Sequence, residues 1–356
     1  MPSIREAFAA TPLEGNRVFP IDFNSVEGVV PDSHTWRTNP GFYNITDERI
    51  ISSTVTPIID LNNPNVVKDL EHACENWYAY QVINHGVPLD MIKNLEQQCD
   101  HFFTLGMKHK LRAAKEANGI TGYGSAHISS FYKKKFWFES FGMIGSPAEH
   151  CKKIWPDQED QCFKFCDAME KYQKEMQDLC TKLMKLVINS LGMRSEDLDQ
   201  FIGNLMMNKN PETLLQLNSY PVCPDPSKAM GLGAHTDSSF FTVLHQTRPG
   251  LQIYKNGLGW VEVPHIENAL VIFMGDLTAI LSNSRYPSSI HRAVVNQTYH
   301  RYSIPFFYGP PRDVQISPIL MLNGESPVFR SVTWDEFLLI KATKFDKALE
   351  SIRILS

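Results

Sequence analysis

Five side chains have the types and spacing for redox chemistry at a metal: His235 and Asp237 in His-Thr-Asp, then His291, then Arg301 and Ser303 in Arg-Tyr-Ser. Two imidazoles and one carboxylate can occupy one face of an octahedral Fe(II), leaving three positions for a chelating co-substrate and O2. An arginine ten residues after the second histidine suits the far carboxylate of a dicarboxylic acid, which a guanidinium can grip bidentately. A His-x-Asp pair alone recurs on surface loops and in satisfied cores. Its combination with a distant histidine and an Arg-x-Ser is far rarer and points to a non-haem iron oxygenase that consumes 2-oxoglutarate. The competing class is a metal-binding jelly roll without catalysis, which has no need of a dicarboxylate clamp. The other histidines lack such partners and read as core or surface residues.

These residues need elements that bring them together. His235 and Asp237 are two apart, as are Arg301 and Ser303, so each pair faces one side of an extended chain. His291 opens a short β-type segment over 291–296, and 301–308 reads as a strand in which Pro305 predicts an edge position or a bulge. From Leu214 onward, short strands are expected at 214–218, 242–245, 251–254, 260–263, 270–274, 293–295 and 303–308. Turn signals at Pro221, Asn256-Gly257-Leu258-Gly259 and Pro310-Pro311 punctuate them. Repeated short strands of this kind argue for a double-sheet jelly roll.

Upstream, the first fifty residues read as an irregular arm or lid, followed by a strand over 56–61, a helix over 65–78 and a strand over 80–84. Pro88 is placed to start a helix that runs to about Leu105, and 120–141 suggests strands or a substrate-facing flap. Residues 157–191 read as one long amphipathic helix with Met, Leu and Cys stripes directed to a core. Thr333 to Ile354 closes the chain as a helix, with Thr333 as N-cap and Glu336 completing a capping box.

The 356 residues carry 43% apolar and 21% charged side chains, ordinary for a globular protein able to bury a large core. A net charge of −5 gives no support to nucleic-acid binding. No export signal or membrane-length apolar run is present in the sequence, so a cytoplasmic protein is expected. Seven cysteines at irregular spacings form no C-x-x-C pair, which argues against a disulfide framework or a zinc site and for reduced thiols. The basic run Lys133-Lys134-Lys135 reads as a solvated turn.

The chain resembles the plant 2-oxoglutarate/Fe(II)-dependent dioxygenases, and within them the gibberellin 3-beta-dioxygenases. The broad likeness rests on Asn84-His85-Gly86-Val87, Asn218-Ser219-Tyr220-Pro221, His235-Thr236-Asp237, His291-Arg292 and Arg301-Tyr302-Ser303. The narrower one rests on Gly122-Tyr123-Gly124, Met230-Gly231-Leu232, Leu258-Gly259-Trp260-Val261, Ile280-Leu281-Ser282-Asn283, Val295-Asn296-Gln297-Thr298 and Lys341-Ala342-Thr343-Lys344-Phe345. It extends over nearly the whole chain and is weakest in the first fifty residues.

The resemblance implies a mainly β fold with flanking helices. Its distorted double-stranded β-helix (jelly-roll) core would occupy 201–320, after an α-rich N-terminal region over 1–200 and before a C-terminal helix over 321–356. It implies Fe(II) held by His235, Asp237 and His291, and 2-oxoglutarate held by Arg301 and Ser303, with Tyr220 and Asn218 adding hydrogen bonds. O2 is the oxidant, and ascorbate an auxiliary reductant. The implied activity is gibberellin 3-beta-hydroxylation by a monomer acting on a small molecule. The alternatives are 2-oxidation of a gibberellin or oxidation of another apolar plant metabolite.

A rigid apolar acid calls for an aromatic pocket with one cationic or hydrogen-bonding anchor. Phe131, Tyr132, Trp137 and Phe138 are candidates for the wall and Lys133 or Lys134 for the anchor. They read equally well as core aromatics beside a solvated turn. The chain departs from the family pattern at Thr278-Ala279 and at Ser284-Arg285-Tyr286-Pro287, where Asn283 is usually followed by glycine. These positions are expected near the approach to His291, where they would shape the pocket.

Overall fold

The computed structural model describes residues 20–26, 28–36, 56–116, 119–132, 134–319 and 325–354. Within the described part of the N-terminal region lie β1 (Ile58–Asp60), helix α1 (Val66–Asn76), β2 (Ala79–Ile83), helix α2 (Leu89–Phe103), β3 (Gly122–Gly124) and β4 (Glu139–Met143). Helices α3 (Ala148–Ile154), α4 (Glu159–Ser190) and α5 (Leu198–Leu205) follow. Next come strands β5 (Glu212–Tyr220), β6 (Leu232–His235), β7 (Phe241–Gln246), β8 (Leu251–Lys255), β9 (Gly259–Val263) and β10 (Leu270–Met274). The chain closes with helix α6 (Asp276–Leu281), β11 (His291–Ala293), β12 (Arg301–Gly309), a small pair β13 (Gln315–Ile316) and β14 (Val332–Thr333), and helix α7 (Trp334–Lys344).

From β5 onward the chain passes back and forth between two sheets, apart from the β8–β9 hairpin within the smaller one, as in a jelly roll. The larger sheet has the order β1-β2-β10-β7-β12-β5-β4-β3, and the smaller has β6-β11-β8-β9. Side-chain alternation separates two apolar layers. Val243, Ile272, Ile304 and Phe306 face the helices, where Leu95, Tyr172 and Met176 meet them in the main core. Leu244, Val271 and Phe273 point the other way, against Leu251, Ile253 and Val261 of the smaller sheet. The expected mainly β fold with flanking helices is the observed one.

Three local expectations are corrected. Pro305 sits neither at an edge nor in a bulge, because β12 runs between β7 and β5 with Pro305 opposite Leu244. The pairing with β5 keeps a constant register from Arg301↔Tyr220 to Gly309↔Glu212, and Ile304 and Pro305 simply make no ladder pair on that side. The missing proline N–H is thus absorbed by a local gap rather than by an inserted residue. The closing helix does not reach Ile354, since it breaks at Phe345 (φ 49°) and continues only as 3-10 turns. Thr333 does cap it, its hydroxyl accepting from the Glu336 amide at 3.2 Å, but the Glu336 carboxylate pairs with Arg330 at 2.7 Å.

The positions expected to shape the pocket do not line it. Thr278, Ala279, Ser284, Arg285, Tyr286 and Pro287 are not among the residues lining the cavity described below. The Thr278 hydroxyl donates to the Phe240 carbonyl at 2.6 Å, and Tyr286 meets the Ser190 hydroxyl at 2.9 Å in the helical layer. Arg285 reaches α1, where its guanidinium pairs with Glu71 and, at 2.7 Å, with Glu75. Ser284 occupies the left-handed region (φ 70°) that a glycine would take more easily.

Candidate active site

His235 ends β6 and His291 begins β11, and the two are directly opposite in the antiparallel pair. Their rings lie 4.2 Å apart, and Asp237 follows two residues after His235. Its carboxylate reaches 3.6 Å from His235 Nε2 and 3.8 Å from His291 Nε2. One ligand atom from each of the three residues falls within 4.8 Å of the others. A cross-strand pair and a two-residue step therefore suffice to bring three donors onto one side.

The surroundings orient each donor. His235 Nδ1 donates to the Gly233 carbonyl at 2.8 Å, and His291 Nδ1 to the Ser289 carbonyl at 3.1 Å. With the proton on Nδ1, each ring offers its Nε2 lone pair to a cation. Phe273 stacks on the His291 ring at 4.2 Å and 6°. The Thr242 hydroxyl donates to Asp237 Oδ2 at 2.6 Å, and the Asp276 amide donates to the Asp237 carbonyl at 2.8 Å. Burial pushes His235 down to about 3, reinforced by the neighbouring His291, so the ring is neutral at physiological pH. Burial alone would raise the Asp237 carboxyl, but His291, His235 and the Thr242 hydroxyl hold it below its ordinary value. Two imidazoles that present Nε2 and one carboxylate are a donor set for a divalent cation of intermediate hardness.

The second half of the site lies on the facing sheet. Arg301 and Ser303 of β12, with Asn218 and Tyr220 of β5, line a cavity of about 260 Å³ that also contains His235, Asp237 and His291. Arg301 is opposite Tyr220 and Ser303 is opposite Asn218, so the pairs share a face across the ladder. Arg301 is 1% exposed, with Nε donating to the Arg248 carbonyl and Nη2 to Gln246 Oε1, each at 3.1 Å. Its Nη1 has no hydrogen-bond partner, and among the described residues no carboxylate pairs with it. Its guanidinium lies 5.0 Å from the centre of the Tyr220 ring. Gly250 (φ 129°) closes behind it, where a Cβ would stand 3.0 Å from the Val294 carbonyl and 3.1 Å from Arg301 Cδ. A buried cation with an unused donor and a neighbouring serine fits a carboxylate held between them.

All seven site residues expected from the sequence, His235, Asp237, His291, Arg301, Ser303, Tyr220 and Asn218, thus line one cavity. The side chains that support the cavity carry no mark in residue spacing. Lys341 of α7 donates to the Thr236 carbonyl at 2.8 Å and to its hydroxyl at 2.5 Å, and pairs with buried Asp276. The C-terminal helix is thereby fastened beside the metal-ligand turn from more than a hundred residues away in sequence. Thr242, five residues beyond Asp237, had no motif to mark it. The substrate-side expectations are partly redirected. Phe131 does line the cavity, stacked on Phe345 at 4.5 Å. Trp137 and Phe138 belong to a separate buried cluster. Tyr132 is spent on the Ala234 carbonyl at 2.7 Å, Lys134 on the Asp32 carbonyl at 2.7 Å, and Lys133 lies outside the described residues.

Residues 211–310 match the 2OG-Fe(II) oxygenase superfamily, and residues 56–158 match the N-terminal region described as that of a non-haem dioxygenase in morphine synthesis. Over 360 residues the chain is 42% identical to gibberellin 3-beta-dioxygenase 1 of Pisum sativum, covering 99% of this chain and 94% of that one. This protein is a 2-oxoglutarate- and Fe(II)-dependent dioxygenase. The dioxygenase is also 42% identical over 337 residues to gibberellin 3-beta-dioxygenase 1 of Arabidopsis thaliana, covering 93% of this chain and 92% of that relative. Its fold is that of the crystal structure of JOX2 in complex with 2OG, Fe and JA, with a TM-score of 0.78 at 24% identity over 100% of this chain and 98% of the other. Among the described residues, no helix of the dioxygenase is long and apolar enough to cross a membrane.

Proposed function

We propose that this dioxygenase hydroxylates a gibberellin at the 3-beta position, with Fe(II) on His235, Asp237 and His291 and the far carboxylate of 2-oxoglutarate on Arg301 and Ser303. The observation that carries the substrate is the likeness to gibberellin 3-beta-dioxygenases along 99% of the chain. The observation that carries the co-substrate is the unpaired, buried Arg301 Nη1. When bound, Fe(II) with 2-oxoglutarate and O2 supplies the power to oxidise an unactivated C–H bond, and the co-substrate leaves as succinate and CO2.

The chain's own residues supply position and exclusion of water. The Nδ1 bonds of both histidines fix ring orientation, and Thr242 fixes the Asp237 carboxylate. Arg301 and Ser303 set the depth of the co-substrate, while Tyr220 and Asn218 bound it from β5. Leu232, Phe131, Ile128, Phe307 and Phe345 form an apolar wall suited to a rigid hydrocarbon skeleton.

The test is anaerobic reconstitution with Fe(II) and 2-oxoglutarate, then admission of O2 with a panel of gibberellins, with succinate and products read by mass spectrometry. A 3-beta-hydroxylated product matched by equal succinate is expected. A 2-hydroxylated product would discard the position of attack, and succinate with no gibberellin product would discard the substrate; either would keep the chemistry.

A further inference from the structure

Three of the seven cysteines, scattered in the sequence, meet in the helical layer. Cys162 and Cys166 are four residues apart near the start of α4, so they share one face of that helix. Cys151 comes from the short preceding helix α3 and is fully buried, while the other two are half-buried against the main core. The three sulfurs lie within 4.8 Å of one another. None of them lines the cavity that holds His235 and Arg301.

We infer that Cys151, Cys162 and Cys166 form a second metal site, a three-thiolate clasp for a soft d10 cation of the Cu(I) type. Geometry favours this use of the thiols over a disulfide. Metal–sulfur bonds of about 2.3 Å place three thiolates roughly 4 Å apart, so the cluster needs only a small closure. A disulfide requires sulfurs at about 2.05 Å, would need a much larger approach, and would leave the third thiol unused. Soft thiolates suit Cu(I) and Zn(II) alike, and a set of three suits Cu(I) better than Zn(II), which usually takes four ligands.

The electrostatic setting is compatible with an anionic complex. Lys152, which follows Cys151 in α3, is paired with Glu149 at 2.8 Å. Burial pushes the Cys151 thiol far up and that of Cys166 to about 11. Each thiol that binds the ion gives up its S–H proton to solvent, so three Cu–S bonds form as three S–H bonds break. No sulfur or copper changes oxidation state. The bound ion would fasten α3, which follows β4 directly, to the longest helix of the fold.

The test uses the full-length protein under anaerobic, reducing conditions, with Cu(I) delivered from a chromogenic chelator. One equivalent is expected to leave the chelator and to produce near-ultraviolet thiolate-to-copper charge-transfer absorption, with a rise in melting temperature. Cys162→Ser and Cys166→Ser, both at half-buried positions that leave buried Cys151 intact, are each expected to lose that absorption and the thermal shift. Cys223→Ser, outside the cluster, is expected to keep both. Copper taken up by the histidines of the iron site would lack the sulfur absorption. Absence of the absorption in the wild type, or its persistence in both cluster variants, would overturn the inference and leave three packing thiols.

Discussion

Lys110 and Arg301 are both buried cations at the large sheet, at 5% and 1% exposure, yet their neighbourhoods differ. The Lys110 ammonium lies 2.7 Å from Glu139 and donates to the Phe103 carbonyl at 3.0 Å. Glu139 accepts in addition from Tyr123 at 2.6 Å, and the ammonium sits 5.4 Å from the centre of the Tyr123 ring. Arg301 meets only neutral acceptors and keeps one nitrogen unused. Burial lowers its pKa without a carboxylate to offset the effect. A buried charge that carries its own counter-ion is structural, whereas one without such a counter-ion is matched only when an anionic ligand arrives. The contrast separates the frame of this dioxygenase from its chemistry more sharply than burial does.

Substitutions can break that contrast. Lys110→Met leaves Glu139 buried and unpaired, and is expected to destabilise the fold by about 3–5 kcal/mol, measured by denaturant unfolding. The double variant Lys110→Met/Glu139→Gln should recover part of this loss. Arg301→Met should behave in the opposite way. Its apo form should be as stable as the wild type or more so, while affinity for 2-oxoglutarate falls by about 2–5 kcal/mol, or thirtyfold and beyond. Equal loss of stability in the two single variants would erase the distinction. A smaller effect is expected at the ligand support, where Thr242→Val should weaken Fe(II) binding roughly 10- to 100-fold, as loss of an outer hydrogen bond commonly does. Isothermal titration calorimetry under argon would measure it. The smallest effect belongs to Ser284, where relief of the left-handed backbone by Ser284→Gly should stabilise by about 0.5–1 kcal/mol, read as a small rise in melting temperature.

The same contrast governs what the sequence could disclose. Arg301 and Ser303 were legible because a period-two step puts them on one face, and His235 with Asp237 for the same reason. Lys110 and Glu139 are 29 residues apart and joined only by packing, so no spacing pointed to them. Cys151, Cys162 and Cys166 were hidden because the third thiol arrives from another helix. All six residues of α6 are buried, which erases the amphipathic signal that would have marked it as a helix. Pro305 misled because the edge-strand rule concerns a missing donor, and here the ladder to β5 has a gap at that point. The closing helix breaks at Phe345, whose φ of 49° and stack on Phe131 local propensity does not report.

The central claim is that His235, Asp237 and His291 hold the Fe(II) to which 2-oxoglutarate chelates. Anaerobic mixing of the protein with Fe(II) and 2-oxoglutarate tests it directly, through the visible charge-transfer absorption of a keto acid chelated to ferrous iron. The wild type is expected to develop the band at one Fe(II) per chain, Arg301→Met only at much higher 2-oxoglutarate, and Asp237→Ala not at all. A folded Asp237→Ala protein with an undiminished band and full turnover would contradict the account.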